Sequence, residues 1–194
     1  ALRYTGCMFS NIDRHNSSAS GCAVCGAPLV YDRRMLPRVC VNCGHTFAAT
    51  AQCERGHFLC DNCHAAPAFA VIRERCLRWK GAPPLALANR IMRHSALHMH
   101  GPEHHYLVPA VLLTACRPCR CSLPEALDIA LERARQVPGG TCGFWGACGG
   151  AVGGGIFASV LTGATPLSTV DWGRCTALTA RILADLAGIG GPRC

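Results

Sequence analysis

The chain has 194 residues, half of them hydrophobic, enough to bury a core and add a small appendage, so intrinsic disorder is excluded as the default. Among its sixteen cysteines, three C-x2-C pairs and a C-x3-H unit crowd into residues 22 to 63, a spacing that suits tetrahedral metal sites and argues against a disulfide-stapled secreted chain; a reducing, cytoplasmic location is expected. The formal charge of +8 comes from scattered arginines; it would fall to about +5 with two zinc ions on seven thiolates and one imidazole, so a nucleic-acid partner is not expected.

Residues 1–20 are polar and carry no hydrophobic run, which reads as a flexible leader with a lone Cys7 and not as a signal peptide. No stretch approaches the ~18 apolar residues of a membrane span, and no membrane partner is expected.

Residues 21–66 form the first unit, a two-zinc Cys/His module. Cys22-x2-Cys25-Gly26 and Cys40-x2-Cys43-Gly44 are knuckles in which two sulfurs face one ion and glycine closes the turn in the left-handed conformation. Cys53-x3-His57 and Cys60-x2-Cys63 supply four more ligands. The eight ligands can be wired sequentially, as a zinc ribbon with Cys22, Cys25, Cys40 and Cys43 on one ion and Cys53, His57, Cys60 and Cys63 on the other. In a RING-like cross-brace, Cys40, Cys43, Cys60 and Cys63 hold one ion while Cys22, Cys25, Cys53 and His57 hold the second. His45 and His64 read as solvated or supporting histidines. Zinc in such closed sites serves folding, because so short a segment buries too little apolar surface unaided.

Residues 67–194 read as an all-α helical bundle with a Gly-rich central helix. Phe69, Ile72, Cys76 and Trp79 fall at helical spacing, which makes Cys76 a core thiol. Gly81-Ala82-Pro83-Pro84 breaks that helix, and Leu85 to about Leu97 carries the next, with Leu87, Ile91 and Met92 inward. Pro102 opens a helix through Leu113 that Pro109 should kink or split. Ser122-Leu123-Pro124-Glu125 is a capping box before a helix that turns Leu127, Ala130, Leu131 and Ala134 inward. Nine glycines between 139 and 155 would let a central helix approach its neighbours closely. Ser168-x-x-Asp171 caps a final helix through Leu178, Ile182, Leu183 and Leu186, ending at Gly188. Cys116, Cys119 and Cys121 lack an adjacent partner motif.

The chemistry is expected where nitrogen and sulfur ligands meet. His98, His100, His104 and His105 lie within eight residues, with Glu103 among them, and Cys142 and Cys148 follow among glycines. Cys142, Cys148 and Cys194 could hold a [4Fe–4S] cluster, three thiolates leaving one iron open to a small-molecule substrate. Alternatively His100, His104 and His105 bind a third, mononuclear metal that activates water, with Glu103 as general base. The expected function is a metal-dependent enzyme or cluster carrier doing thiol, sulfur or redox chemistry. A zinc-binding adaptor without catalysis is the alternative.

Three blocks carry a resemblance: His100-Gly101-Pro102-Glu103-His104-His105 with Leu107-Val108-Pro109-Ala110, Val137-Pro138-Gly139-Gly140 through Cys148-Gly149, and Gly190-Gly191-Pro192-Arg193-Cys194. Together they resemble an uncharacterised archaeal and bacterial Cys/His-rich domain family, over roughly residues 20 to 194. The resemblance implies association with a SAM-dependent methyltransferase or radical-SAM-type protein, by fusion or as a partner. It names no reaction.

Overall fold

The computed structural model describes residues 21–81, 83–117 and 120–190. The leader, Cys7, Cys119 and the motif at 191–194 with Cys194 lie outside the described residues. The order is β1 (Leu29–Val39), β2 (Thr46–Cys53), α1 (Asp61–Leu77), α2 (Pro84–Met92), α3 (Glu103–Cys116), α4 (Leu123–Ala134), α5 (Thr141–Phe144), α6 (Gly149–Thr162) and α7 (Val170–Ile189).

The two strands pair antiparallel, from Leu29 opposite Cys53 to Val39 opposite Thr46, with the register shifting between Tyr31 and Leu36. A lone hairpin is marginal in water unless something covers it. This one leaves Val30, Tyr31, Met35 and Val39 exposed. Between residues 21 and 60 the only buried residues are Cys22, Cys40, Cys53 and Cys60. The interior of this segment is therefore made of thiols.

The helices share one core. Phe69, Ile72 and Cys76 from α1, Leu87 and Ile91 from α2, Tyr106, Ala110 and Leu113 from α3, Leu127 and Ala130 from α4, and Ile156 and Val160 from α6 pack together. α3 is central, touching α1, α2, α4 and α6. Phe69 meets Tyr106 edge to face, their ring centroids 5.9 Å apart, and the Arg135 guanidinium lies over the other aromatic, Phe69. Cys76 is fully buried, and burial pushes its thiol up to about 11, against a hydrogen bond with Thr114.

Several boundaries differ from the sequence reading for identifiable reasons. α1 starts at Asp61 and runs unbroken to Leu77, so Cys63 and the core residue Cys76 share one helix. α2 ends at Met92, which is exposed, and not near Leu97. Pro109 neither splits nor ends α3. A Cβ placed on Gly153 of α6 would lie 2.9 Å from both the Pro109 ring and the His105 carbonyl oxygen, the oxygen that Pro109 cannot bond. Glycine there lets α6 lie against that turn of α3. Ser122 caps α4 as expected, its hydroxyl accepting from Glu125 N–H at 3.4 Å. Ser168 does not cap α7: Thr165 N–H donates to its hydroxyl, and the helix starts one residue later, after Thr169. Leu178, Ile182, Leu183 and Leu186 are half-buried, and α7 has no fully buried residue.

Candidate metal centres and the cavity beside them

The knuckle turns form as their glycines dictate, Gly26 and Gly44 taking φ of +70° and +72°. The fold gathers the ligands across the hairpin into Cys22, Cys25, Cys53 and His57 at one end, and Cys40, Cys43, Cys60 and Cys63 at the other. The pairs interleave, which is the cross-brace; the sequential zinc-ribbon wiring is not the one brought together. β1 and β2 explain this, since the first knuckle sits where β1 begins and β2 ends, and the second at the β1–β2 turn, where Cys60 and Cys63 reach it from the start of α1.

The distances fit a tetrahedral ion. Metal–sulfur bonds of ~2.3 Å and metal–nitrogen bonds of ~2.0 Å set sulfurs ~3.8 Å apart and sulfur from nitrogen ~3.5 Å. Cys25 and Cys53 sulfurs lie 3.6 Å apart and those of Cys43 and Cys60 4.0 Å, while His57 Nδ1 is 3.3 Å from Cys25 Sγ and 3.9 Å from Cys22 Sγ. These spacings are far beyond the ~2.05 Å of a disulfide. Backbone N–H groups of Val24, Arg55 and Cys60 donate to the sulfurs of Cys22, Cys53 and Cys40, as thiolate ligands require. Burial opposes charge on Cys40, yet the N–H groups of Cys60, Cys43 and Asn42 outweigh it and bring the thiol down to about 6. Burial, with Cys63 and Cys40 alongside, pushes Cys60 up to about 12. Four sulfurs in one shell cannot all ionise without a cation. Both quartets can hold a metal ion.

A cavity of about 1200 Å³ opens between the hairpin, the start of α1, α3 and the α5–α6 segment. His100, His104, His105, Cys142 and Cys148 all line it. The glycine-rich backbone makes the approach: a side chain at Gly149, the residue after Cys148, would fall on the ring of His105. His105 Nδ1 donates to the Val137 carbonyl at 3.0 Å, so Nε2 is the ring nitrogen left with its lone pair. Burial disfavours the charged ring, pulling its pKa below the ordinary histidine value against the pull of that carbonyl. Asp61 holds the same loop from α1, accepting Gly139 N–H at 2.6 Å. His104 Nε2 donates to the His98 carbonyl at 2.8 Å.

Glu103 is not placed as a base beside His100, His104 and His105. It is fully buried, and its Oε1 accepts from both the N–H and Nδ1 of His98, at 2.8 and 3.0 Å. Among the described residues, the ligand atoms that fall within 4.8 Å of one another in groups of three or more form the two quartets and His64, His98 and Glu103. None of these groups includes Cys142, Cys148, Cys116, Cys121, His100, His104 or His105. Cys142 and Cys148 thus share a cavity with the imidazoles, and Cys194, the third thiolate expected for an iron–sulfur cluster, lies outside the described residues.

The sequence pattern does not single out Asp61, reads His64 as a solvated or supporting histidine, and counts His98 in the histidine cluster without a role of its own. His64 was legible only as the neighbour of Cys63, but the i, i+5 pairing of His98 with Glu103 around Gly101-Pro102 was there to be read.

No helix among the described residues is long and apolar enough to cross a membrane. No curated protein and no solved structure matches the chain. A profile for a family of unknown function, DUF5714, matches residues 72–194, from within α1 onward, and leaves both quartets outside the match. The helical part, with its cavity histidines and cysteines, is what places this chain in the DUF5714 family.

Proposed function

We propose that the chain is a metal-dependent enzyme in which two zinc ions fold the Cys/His segment and the cavity beside it carries out thiol chemistry on a small molecule. The observation that carries this reading is the convergence of His105 and Cys148 on one cavity, with the His105 ring against Gly149, the residue after Cys148. Zinc in the quartets supplies folding, since four-ligand sites leave no open position for substrate. His105, its Nδ1 proton committed to Val137, presents Nε2 as a base. Cys148 precedes the first residue of α6, where backbone N–H groups favour developing negative charge. His105 would accept the Cys148 proton, and the thiolate would displace the leaving group of an electrophilic substrate, which departs with the proton that His105 returns to it. Cys142 is the second thiol lining the cavity.

The test is thiol reactivity. Iodoacetamide should label Cys148 faster than the exposed Cys116. His105→Asn, which keeps a donor for Val137 and removes Nε2, should slow labelling of Cys148 at least ~10-fold. Equal rates at the two thiols, or a rate indifferent to His105→Asn, would defeat the reading. Iron and acid-labile sulfide in anaerobically purified protein would instead favour the cluster.

One observation favours an adaptor as the second reading: Phe144, Trp145, Leu167 and Trp172 are all more than half exposed. Large exposed apolar side chains mark docking surfaces. The partner to try is the one implied by the resemblance, a SAM-dependent methyltransferase or radical-SAM-type protein, with Trp145→Ala and Trp172→Ala as the variants expected to weaken binding.

A further inference from the structure

We infer that His64, His98 and Glu103 form a third metal site, separate from both quartets, that takes a first-row divalent ion such as zinc or iron(II). A nitrogen of each ring and a carboxylate oxygen already lie within 4.8 Å of one another. The rings of His64 and His98 pack with centroids 4.4 Å apart and planes tilted 41°. Two imidazoles and one carboxylate are the donor set of open zinc sites and of non-haem iron(II) sites, and three protein ligands leave positions for water or substrate.

Two polar atoms are left over in the cluster. Glu103 is 0 % exposed, yet among the described residues only its Oε1 has partners; Oε2 has none, and neither does the buried Nδ1 of His64. A buried carboxylate oxygen and ring nitrogen without partners are costly, and a shared cation would satisfy both at once. The backbone is shaped for the carboxylate: a Cβ at Gly101 would occupy the space that the Glu103 carboxylate fills. His98 is held at both ends, its N–H donating to Glu103 Oε1 and its carbonyl accepting from His104 Nε2. His104 therefore positions a ligand of this site.

The site shares no residue with the chemistry proposed for Cys148 and His105, although His64 lines the same cavity, and its failure would leave that reading untouched. It would join α1, through His64, to the start of α3. Ion binding at His98 replaces the Nδ1 proton now shared with Glu103, which leaves to solvent or moves to Nε2.

The experiment is a Co²⁺ titration of the full chain with both quartets loaded, following the visible spectrum, released zinc and bound metal by mass spectrometry. The expected result is one equivalent of cobalt bound without zinc release and without thiolate-to-cobalt charge transfer, because this site holds no sulfur. Affinity should fall at least ~10-fold in His98→Ala, in Glu103→Gln and in Gly101→Ala. His98 is partly exposed, so its variant remains informative if a change at buried Glu103 prevents folding. Cobalt that binds only by displacing zinc from the quartets, or binding that His98→Ala leaves unchanged, overturns the inference.

Discussion

The imidazole of His105 fills the space that a side chain on Gly149 would need, so α3 and α6 meet at a ring and a bare backbone. Gly149→Ala must push that ring away from Val137. A loss of ~1–3 kcal/mol is expected by chemical denaturation, as for other overpacked cores. Gly173 in α7 has nothing within 4 Å of where a Cβ would go. Gly173→Ala should stabilise by ~0.5–1 kcal/mol through helix propensity alone. Equal effects of the two substitutions would mean that the close approach is not real.

The interleaved quartets give a clean test of wiring. Cys22→Ser with Cys53→Ser removes two ligands from one site and should cost one equivalent of zinc. Cys22→Ser with Cys40→Ser touches both sites and should cost two. Sequential wiring would reverse the two results, read as zinc per chain by mass spectrometry. With thiols as the only buried residues from 21 to 60, either loss should also open that segment to protease.

Tyr106 is fully buried and its hydroxyl has no hydrogen-bond partner among the described residues, while burial pushes its pKa well above the usual tyrosine value. An unpaired buried hydroxyl costs ~1–3 kcal/mol. Tyr106→Phe keeps the edge contact with Phe69 and removes that cost, so the variant should be as stable as the wild type or more so. A loss above ~1 kcal/mol would point to a partner for the hydroxyl.

Asp128 is held below the ordinary carboxylate range by its two hydrogen bonds from Arg73, at 2.7 and 3.0 Å, which join α1 to α4. A depressed carboxyl contributes stability above its unfolded value of ~3.9 and loses it as pH falls through the folded value. Because both side chains are substantially exposed, the contribution is no more than ~1 kcal/mol. Asp128→Asn should therefore be less stable than wild type at pH 7, and the gap should narrow as pH falls below ~3.9 toward the lowered folded value.

The ligands of the quartets were legible because C-x2-C knuckles place two sulfurs on one ion whatever the surrounding fold. Their pairing was not, since either wiring uses the same residues and only the β1–β2 register decides between them. Core positions such as Ile72, Cys76, Leu87 and Leu127 followed from helical spacing. Pro109 was legible as a kink or a split and α3 is not split there; its contact with Gly153, forty-four residues away, is one that no local pattern encodes. Glu103 misled for a local reason. Its neighbours in sequence are cavity histidines, but its carboxylate turns back over Gly101 toward His98.

α1 begins inside a thiol quartet and ends in hydrocarbon, with Cys63 and Cys76 on one rigid rod ~20 Å apart. Its start has no side-chain cap. With the quartet metallated, the ion anchors the first turn of a helix whose far end the bundle needs. Metal supply would then act as a checkpoint on maturation: starved of it, the chain would stall with its helical half as unfinished as its metal-binding half.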